Sequence, residues 1–113
     1  MTPWKQLTIY IGESDHWHNQ PLHIALIELA RRRGMAGATA TRGIEGFGKN
    51  ATIHTTNLLA LSSDLPIVVT IIDQEDAIAE ILPSVQEMVK QGLITLKPVE
   101  VFNSDQSLQR DQE

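Results

Sequence analysis

"LPIVVTIID", residues 65–73, decides the fold. In an extended chain successive side chains point to opposite faces, so Ile67, Val69 and Ile71 share one side. Val68 and Ile72, with Thr70 between them, share the other. A strand wet on one face would alternate apolar with polar residues; this one needs cover on both. Asp73 stands where it can cap a following helix, with Asp76 at the third position in the manner of a capping box.

On the C-terminal side, Ile78, Ile81, Leu82, Val85, Met88 and Val89 follow helical spacing through "EDAIAEILPSVQEMVKQG", which Gly92 ends. Pro83 lies inside that helix and is expected to kink it, because the carbonyl of Ala79 loses its partner. "LITLKPVEVF" (93–102) reads as a last strand, with Pro98 placing it at an edge or bulge.

On the N-terminal side, "KQLTIYIG" (5–12) alternates, with Leu7, Ile9 and Ile11 on one face, and Gly12 closes it. "ESDHWHNQ" reads as a polar loop, in which Trp17 pins the loop to the body. Pro21 suits the first position of a helix, since its missing N–H has no partner to lose there. In "PLHIALIELARRRG", Leu22, Ala25, Leu26, Leu29 and Ala30 form one face. Arg31 to Arg33 complement the negative end of the helix dipole, and Gly34 is the expected C-terminal cap. "GATATRGI" (37–44) is a strand, and 52–61 reads as a strand with a helical turn around Asn57–Leu61 as its rival.

The order β-α-β-β-α-β is the split-βαβ, ferredoxin-like arrangement of an α+β domain: one antiparallel sheet with both helices on one face. Two helices cover one side of such a sheet, yet 67–72 is apolar on both. A homo-oligomer follows from that mismatch.

At 113 residues the chain supports a single domain, here residues 1–102. The polar tail 103–113 has the composition of a disordered segment. A formal charge of −5 argues against general nucleic-acid affinity, which rewards a basic surface. No cysteine is present, so disulfides and thiolate metal sites are excluded. No apolar run reaches the ~18 residues of a membrane span, and the N-terminus lacks a signal peptide's order. A cytoplasmic protein without membrane insertion is expected.

Chemistry concentrates in two places. "GIEGFGKN" (43–50) puts Gly43, Gly46 and Gly48 ahead of Lys49. It can cradle an anion with backbone N–H groups, or merely supply the backbone freedom of a turn. It is not a Walker loop, because no Lys-Ser/Thr pair opens a helix. Arg42, which leads from the strand into this loop, is the preferred extra cation. "ESDHWHNQPLH" gathers Glu13, Asp15, His16, His18 and His23, residue types that can bind a divalent metal, although a polar loop is the commoner use. His54 has no partner base or nucleophile to support a catalytic role, and no nucleophile–base pair stands out anywhere, so an enzyme is not expected.

"GATATRGIEGFGKN", followed by "LPIVVTIID" and "VKQGLITLKPVEV", resembles the PII signalling superfamily over residues 5–102. "LTIYIGESD-W", "GATATRGIEGFG", "IHT" and "DLP" bring it nearer to an uncharacterised PII-like branch, domain of unknown function 190. The resemblance implies a homotrimer of ferredoxin-like subunits that binds an adenine nucleotide or related anionic effector between subunits. The state of a loop would then signal to a membrane transporter or an enzyme. By the same resemblance, Gly37, Ala38 and Thr39 match the segment lining the base, and Gly46, Phe47 and Gly48 match the GFG that approaches the ligand. Lys49 stands at a basic position, and Lys90 and Gly92 belong to the turn that wraps phosphates. No cofactor is required, and no catalytic residue is carried over.

Two departures bear on the ligand. Leu93 stands where the superfamily has a lysine, and "VEVFNSD" lacks the usual arginine pair. Each missing charge-assisted contact is worth roughly 1.5–3 kcal/mol, so a mononucleotide, a cyclic dinucleotide or no nucleotide is open beside a triphosphate. A metal-responsive trimer using His16 and His18, or a purely structural trimer, are the alternatives.

Overall fold

The computed structural model describes residues 3–47 and 64–102. Its elements are β1 (Trp4–Gly12), β2 (His16–Trp17), β3 (Gln20–Pro21), α1 (Leu22–Arg32), β4 (Gly37–Arg42), β5 (Pro66–Gln74), α2 (Glu75–Met88) and β6 (Leu93–Val99). β1, β4, β5 and β6 form one antiparallel sheet in the order β4-β5-β1-β6, so the first and third long strands lie in the middle. Segment 52–61, Gly48, Lys49, His54 and the tail 103–113 lie outside the described residues.

The register explains which side each residue serves. Leu7 lies opposite Ile71 and Leu96, and Ile9 opposite Val69 and Ile94. Leu7, Ile9, Val69 and Ile71 are completely buried. They share one core with Leu26 of α1 and with Ile78, Ile81 and Val85 of α2, so both helices lie on this face. Burying each such side chain contributes about 1.5–3 kcal/mol, which is what holds the helices down. The five α1 residues expected on one face are its buried residues.

The opposite face differs in kind. Thr8 lies opposite Thr70 and Thr95, and Thr70 opposite Thr39, so four threonines cross the whole sheet in one row. Apolar residues flank the row: Val68 and Ile72 are half-buried, and Tyr10 and Leu93 are exposed. The two-sided character of 67–72 is therefore real, with one side in the core and the other left part-wet in the single chain.

Local details depart from the sequence expectations at several points. "ESDHWHNQ" is not simply a loop. His16 pairs with Pro21 and Trp17 with Gln20, and the two residues between, His18 and Asn19, have φ of 49° and 68°. Positive φ at both central residues is the two-residue hairpin turn whose twist suits the flanking strands. Trp17 packs against the core. Pro21 is not the first helical residue: paired in β3 with ψ of 136°, it precedes the helix, and the Leu22 N–H donates to the Asp15 carbonyl at 2.8 Å. At the other end of α1, Gly34 N–H donates to Arg31 and Met35 N–H to Ala30, with Gly34 at φ 71°. This is the Schellman ending that the glycine foretold.

Asp73 does not cap α2. β5 keeps pairing with β1 as far as Gln74 opposite Trp4, which leaves Asp73 inside the strand and only 1% exposed. Its carboxylate instead accepts from the Ala36 N–H at 3.1 Å and the Gln74 N–H at 2.6 Å. The Pro3 carbonyl takes the Glu75 N–H at 2.9 Å. α2 contains Pro83, as expected, but ends at Met88 rather than running to Gly92. Val89 turns extended and stays buried, so Lys90, Gln91 and Gly92 form a separate turn. β4 and β6 are shorter than expected, ending at Arg42 and Val99. Pro98 lies on an edge strand, where a missing N–H costs no ladder bond.

Candidate functional site

The residues expected to bind a ligand fall into three groups. Arg42 lies opposite Ile67, Ile67 opposite Ile11, and the neighbouring Tyr10 opposite Leu93. The Arg42–Phe47 segment and the Lys90–Gly92 turn therefore sit at the same end of the sheet. They sit on opposite edges, however, roughly 14 Å apart at the usual strand spacing. Gly37, opposite Ile72, begins β4 at the other end, roughly 17 Å along the strand from Arg42. Within one chain these groups do not meet.

Among the described residues, the glycines separate into those whose position requires glycine and one whose position does not. A Cβ on Gly92 would lie 2.6 Å from the Tyr10 carbonyl oxygen, and one on Gly43 would lie 2.9 Å from Pro66 Cγ. Gly46 has φ of 153°, a conformation that favours glycine. These three are accounted for by turning and close packing. A Cβ on Gly37 would meet nothing within 4 Å, and its φ is ordinary. Nothing among the described residues demands glycine there. Phe47 and Ile44, beside Gly46, are 81% and 93% exposed.

A turn that the sequence reading did not single out organises this end. Glu13 Oε2 lies 3.2 Å from Arg42 Nε. The Glu13 N–H donates to the Leu65 carbonyl at 2.8 Å. Asp64 Oδ1 accepts from Ser14 Oγ at 2.9 Å and from Ser14 N–H at 3.2 Å. Gly43 N–H donates to the Pro66 carbonyl at 2.7 Å. Two consecutive residues, Glu13 and Ser14, thus grip both stems of the β4–β5 connection. Ser14 and Asp64 are fifty positions apart, and no local pattern announces such a contact.

Lys90 borders a shallow depression of about 120 Å³ together with Asp15, His16, Leu22, Met88 and Gln91. His16 Nδ1 is 2.7 Å from the Ser14 carbonyl, which fixes the ring. His18 stacks on Trp17 with centroids 4.3 Å apart. Among the described residues no group of three or more histidines and carboxylates gathers to hold a metal ion. A second depression, about 210 Å³, is lined by Asp73, Gln74, Asp76, Ala77 and Glu80, and its charge repels anions. Among the described residues no helix is long and apolar enough to cross a membrane.

The antiparallel sheet with both helices on one side is an α+β, ferredoxin-like fold of the PII-like kind. It matches the crystal structure of a candidate PII-like signalling protein from Thermus thermophilus with a TM-score of 0.57, over 87% of this chain and 88% of that one. Identity there is 20%, so the likeness is one of fold. The family model for domain of unknown function 190 (DUF190), described as "Uncharacterized ACR", matches residues 4–101, and the chain belongs to that family. A UPF0166 protein of Aquifex aeolicus (strain VF5) is 41% identical over 98 residues, covering 87% of this chain and 92% of its own. A UPF0166 protein of Methanocaldococcus jannaschii is 29% identical over 102 residues, covering 89% and 94%.

Proposed function

We propose that this chain is a PII-like regulatory protein of the cytoplasm. Three copies assemble through the open sheet face and take a small anionic effector, an adenine nucleotide or a related molecule, in the clefts between them. The protein senses rather than catalyses, and its target is a protein such as a membrane transporter or an enzyme. Effector binding favours one arrangement of the β4–β5 connection, and the partner reads the shifted population.

One observation carries this reading. Arg42, Gly46 and Phe47 occupy the same end of the sheet as Lys90 and Gly92 but the opposite edge. Only a neighbouring copy can bring one group against the other. Gly37 adds support: its missing side chain leaves room that no described residue uses.

The test is a solution mass followed by a thermal-shift screen with AMP, ADP, ATP and cyclic di-AMP. The expected mass is three times the 12.6 kDa of the chain. A ligand present at a hundred times its Kd stabilises the folded state by about 2.7 kcal/mol, which raises the melting temperature by roughly 10 °C. A monomer at micromolar concentration, or no shift with any of the four, defeats the proposal.

A further inference from the structure

We propose that Glu13 is an internal competitor for the effector: its carboxylate holds Arg42 in the free chain, and an anionic ligand takes Arg42 by displacing it. This rests on the effector reading above and names the residue that sets how strongly charged an effector must be.

Arg42 is the last residue of an edge strand, and its side chain is 57% exposed, open to a ligand. Its charge is already matched, by Glu13 at 3.2 Å. Glu13 is poorly satisfied in that pairing. Its second oxygen, Oε1, is buried and has no hydrogen-bond partner among the described residues. Release of the side chain would let water reach that oxygen, and release disturbs nothing else of Glu13. Its place in the turn is held by the backbone, through the N–H bond to Leu65. The other arm of the same turn, Ser14 on Asp64, is likewise independent of the Glu13 carboxylate.

The surrounding charges set the threshold. Asp64 and Asp15 both lie beside Gly12, the residue before Glu13, so the turn that carries Glu13 is acidic. A monocarboxylate gains nothing by replacing Glu13, because one carboxylate then stands in for another. A phosphate dianion brings more charge and more acceptor oxygens to the guanidinium, and so wins the exchange. The predicted effector class is phosphorylated rather than simply carboxylic.

Isothermal titration with ATP and AMP separates the possibilities, using the full chain, Glu13→Gln, Arg42→Gln and the double variant. Glu13→Gln preserves shape and removes the competing charge. It is expected to bind about three- to five-fold more tightly, the scale of an exposed ion pair. Arg42→Gln is expected to bind at least about ten-fold more weakly. In the Arg42→Gln background the Glu13 change should have no effect. Binding by the parent chain that Glu13→Gln leaves equal or weakens overturns the competition while leaving the effector reading intact. Tightening that persists without Arg42 also overturns it. No binding by the parent or by Glu13→Gln defeats both readings, whereas binding that emerges only in Glu13→Gln supports the competition. Melting temperatures of the variants, measured without ligand, check that each is folded.

Discussion

Replacing Gly92 by alanine should weaken the fold measurably, and the structure says by how much. The added Cβ would sit 2.6 Å from the Tyr10 carbonyl oxygen and 3.1 Å from Val89 Cγ1. An ordinary contact begins near 3.4 Å, so the turn must withdraw by about 0.8 Å. The obstacle is backbone on the sheet's central strand β1, not the tip of a flexible side chain, so it cannot swing aside. Overpacking of this kind costs ~1–3 kcal/mol. Prying Leu93 from its register opposite Tyr10 adds a hydrogen bond's worth, ~0.5–1.5 kcal/mol. The sum, roughly 1.5–4.5 kcal/mol, lowers the melting temperature of a chain this size by about 6–18 °C. Thermal unfolding followed by circular dichroism at one fixed protein concentration reads the shift, since an oligomer's stability depends on concentration. Gly37→Ala, measured without ligand, is the control: its Cβ meets nothing within 4 Å among the described residues, and a change within about 0.5 kcal/mol is expected. If Gly92→Ala melted within about 2 °C of the parent, or Gly37→Ala fell as far as Gly92→Ala, the assignment of steric need to these glycines would be wrong.

Asp73→Ala removes the acceptor for two backbone N–H groups at a position only 1% exposed, and should cost roughly 2–4 kcal/mol in urea unfolding. A loss below about 1 kcal/mol would mean that these groups find other partners. Ile72→Lys places a charge on the open face, in a row that already ends in Lys97. The variant should keep its far-ultraviolet circular dichroism yet run as a monomer by light scattering; retention of the parent's mass would show that this face is not the contact.

Much of the fold was legible because its signals are local. The spacing of Leu22, Ala25, Leu26, Leu29 and Ala30 marks a helix face whatever the face packs on, and Gly34 after three arginines marks its end. Alternation in 5–12 and 65–73 marked two strands and assigned Leu7, Ile9, Ile67, Val69 and Ile71 to the same kind of side. Asp73 was misread because the pattern of Asp73 and Asp76 is the same whether or not the preceding strand continues for one more pair. Pro21 was misread for a related reason: its fixed φ suits the residue before a helix as well as the first residue within it. The Glu13–Ser14 turn was invisible because its partners, Arg42 and Asp64, are remote in sequence.

The sequence by itself determined the four long strands, the two helices, their order and the two apolar sides of 67–72, since all of these depend on the period at which apolar side chains recur. The tertiary structure alone decided what each glycine and each charge is for. Gly37 and Gly92 are the same residue on paper, yet one has open space beside it and the other has a carbonyl at 2.6 Å. Arg42 reads as a free cation until the fold brings Glu13 to within 3.2 Å of it. Periodicity is a property of neighbours along the chain, whereas steric need and charge pairing are properties of neighbours in space.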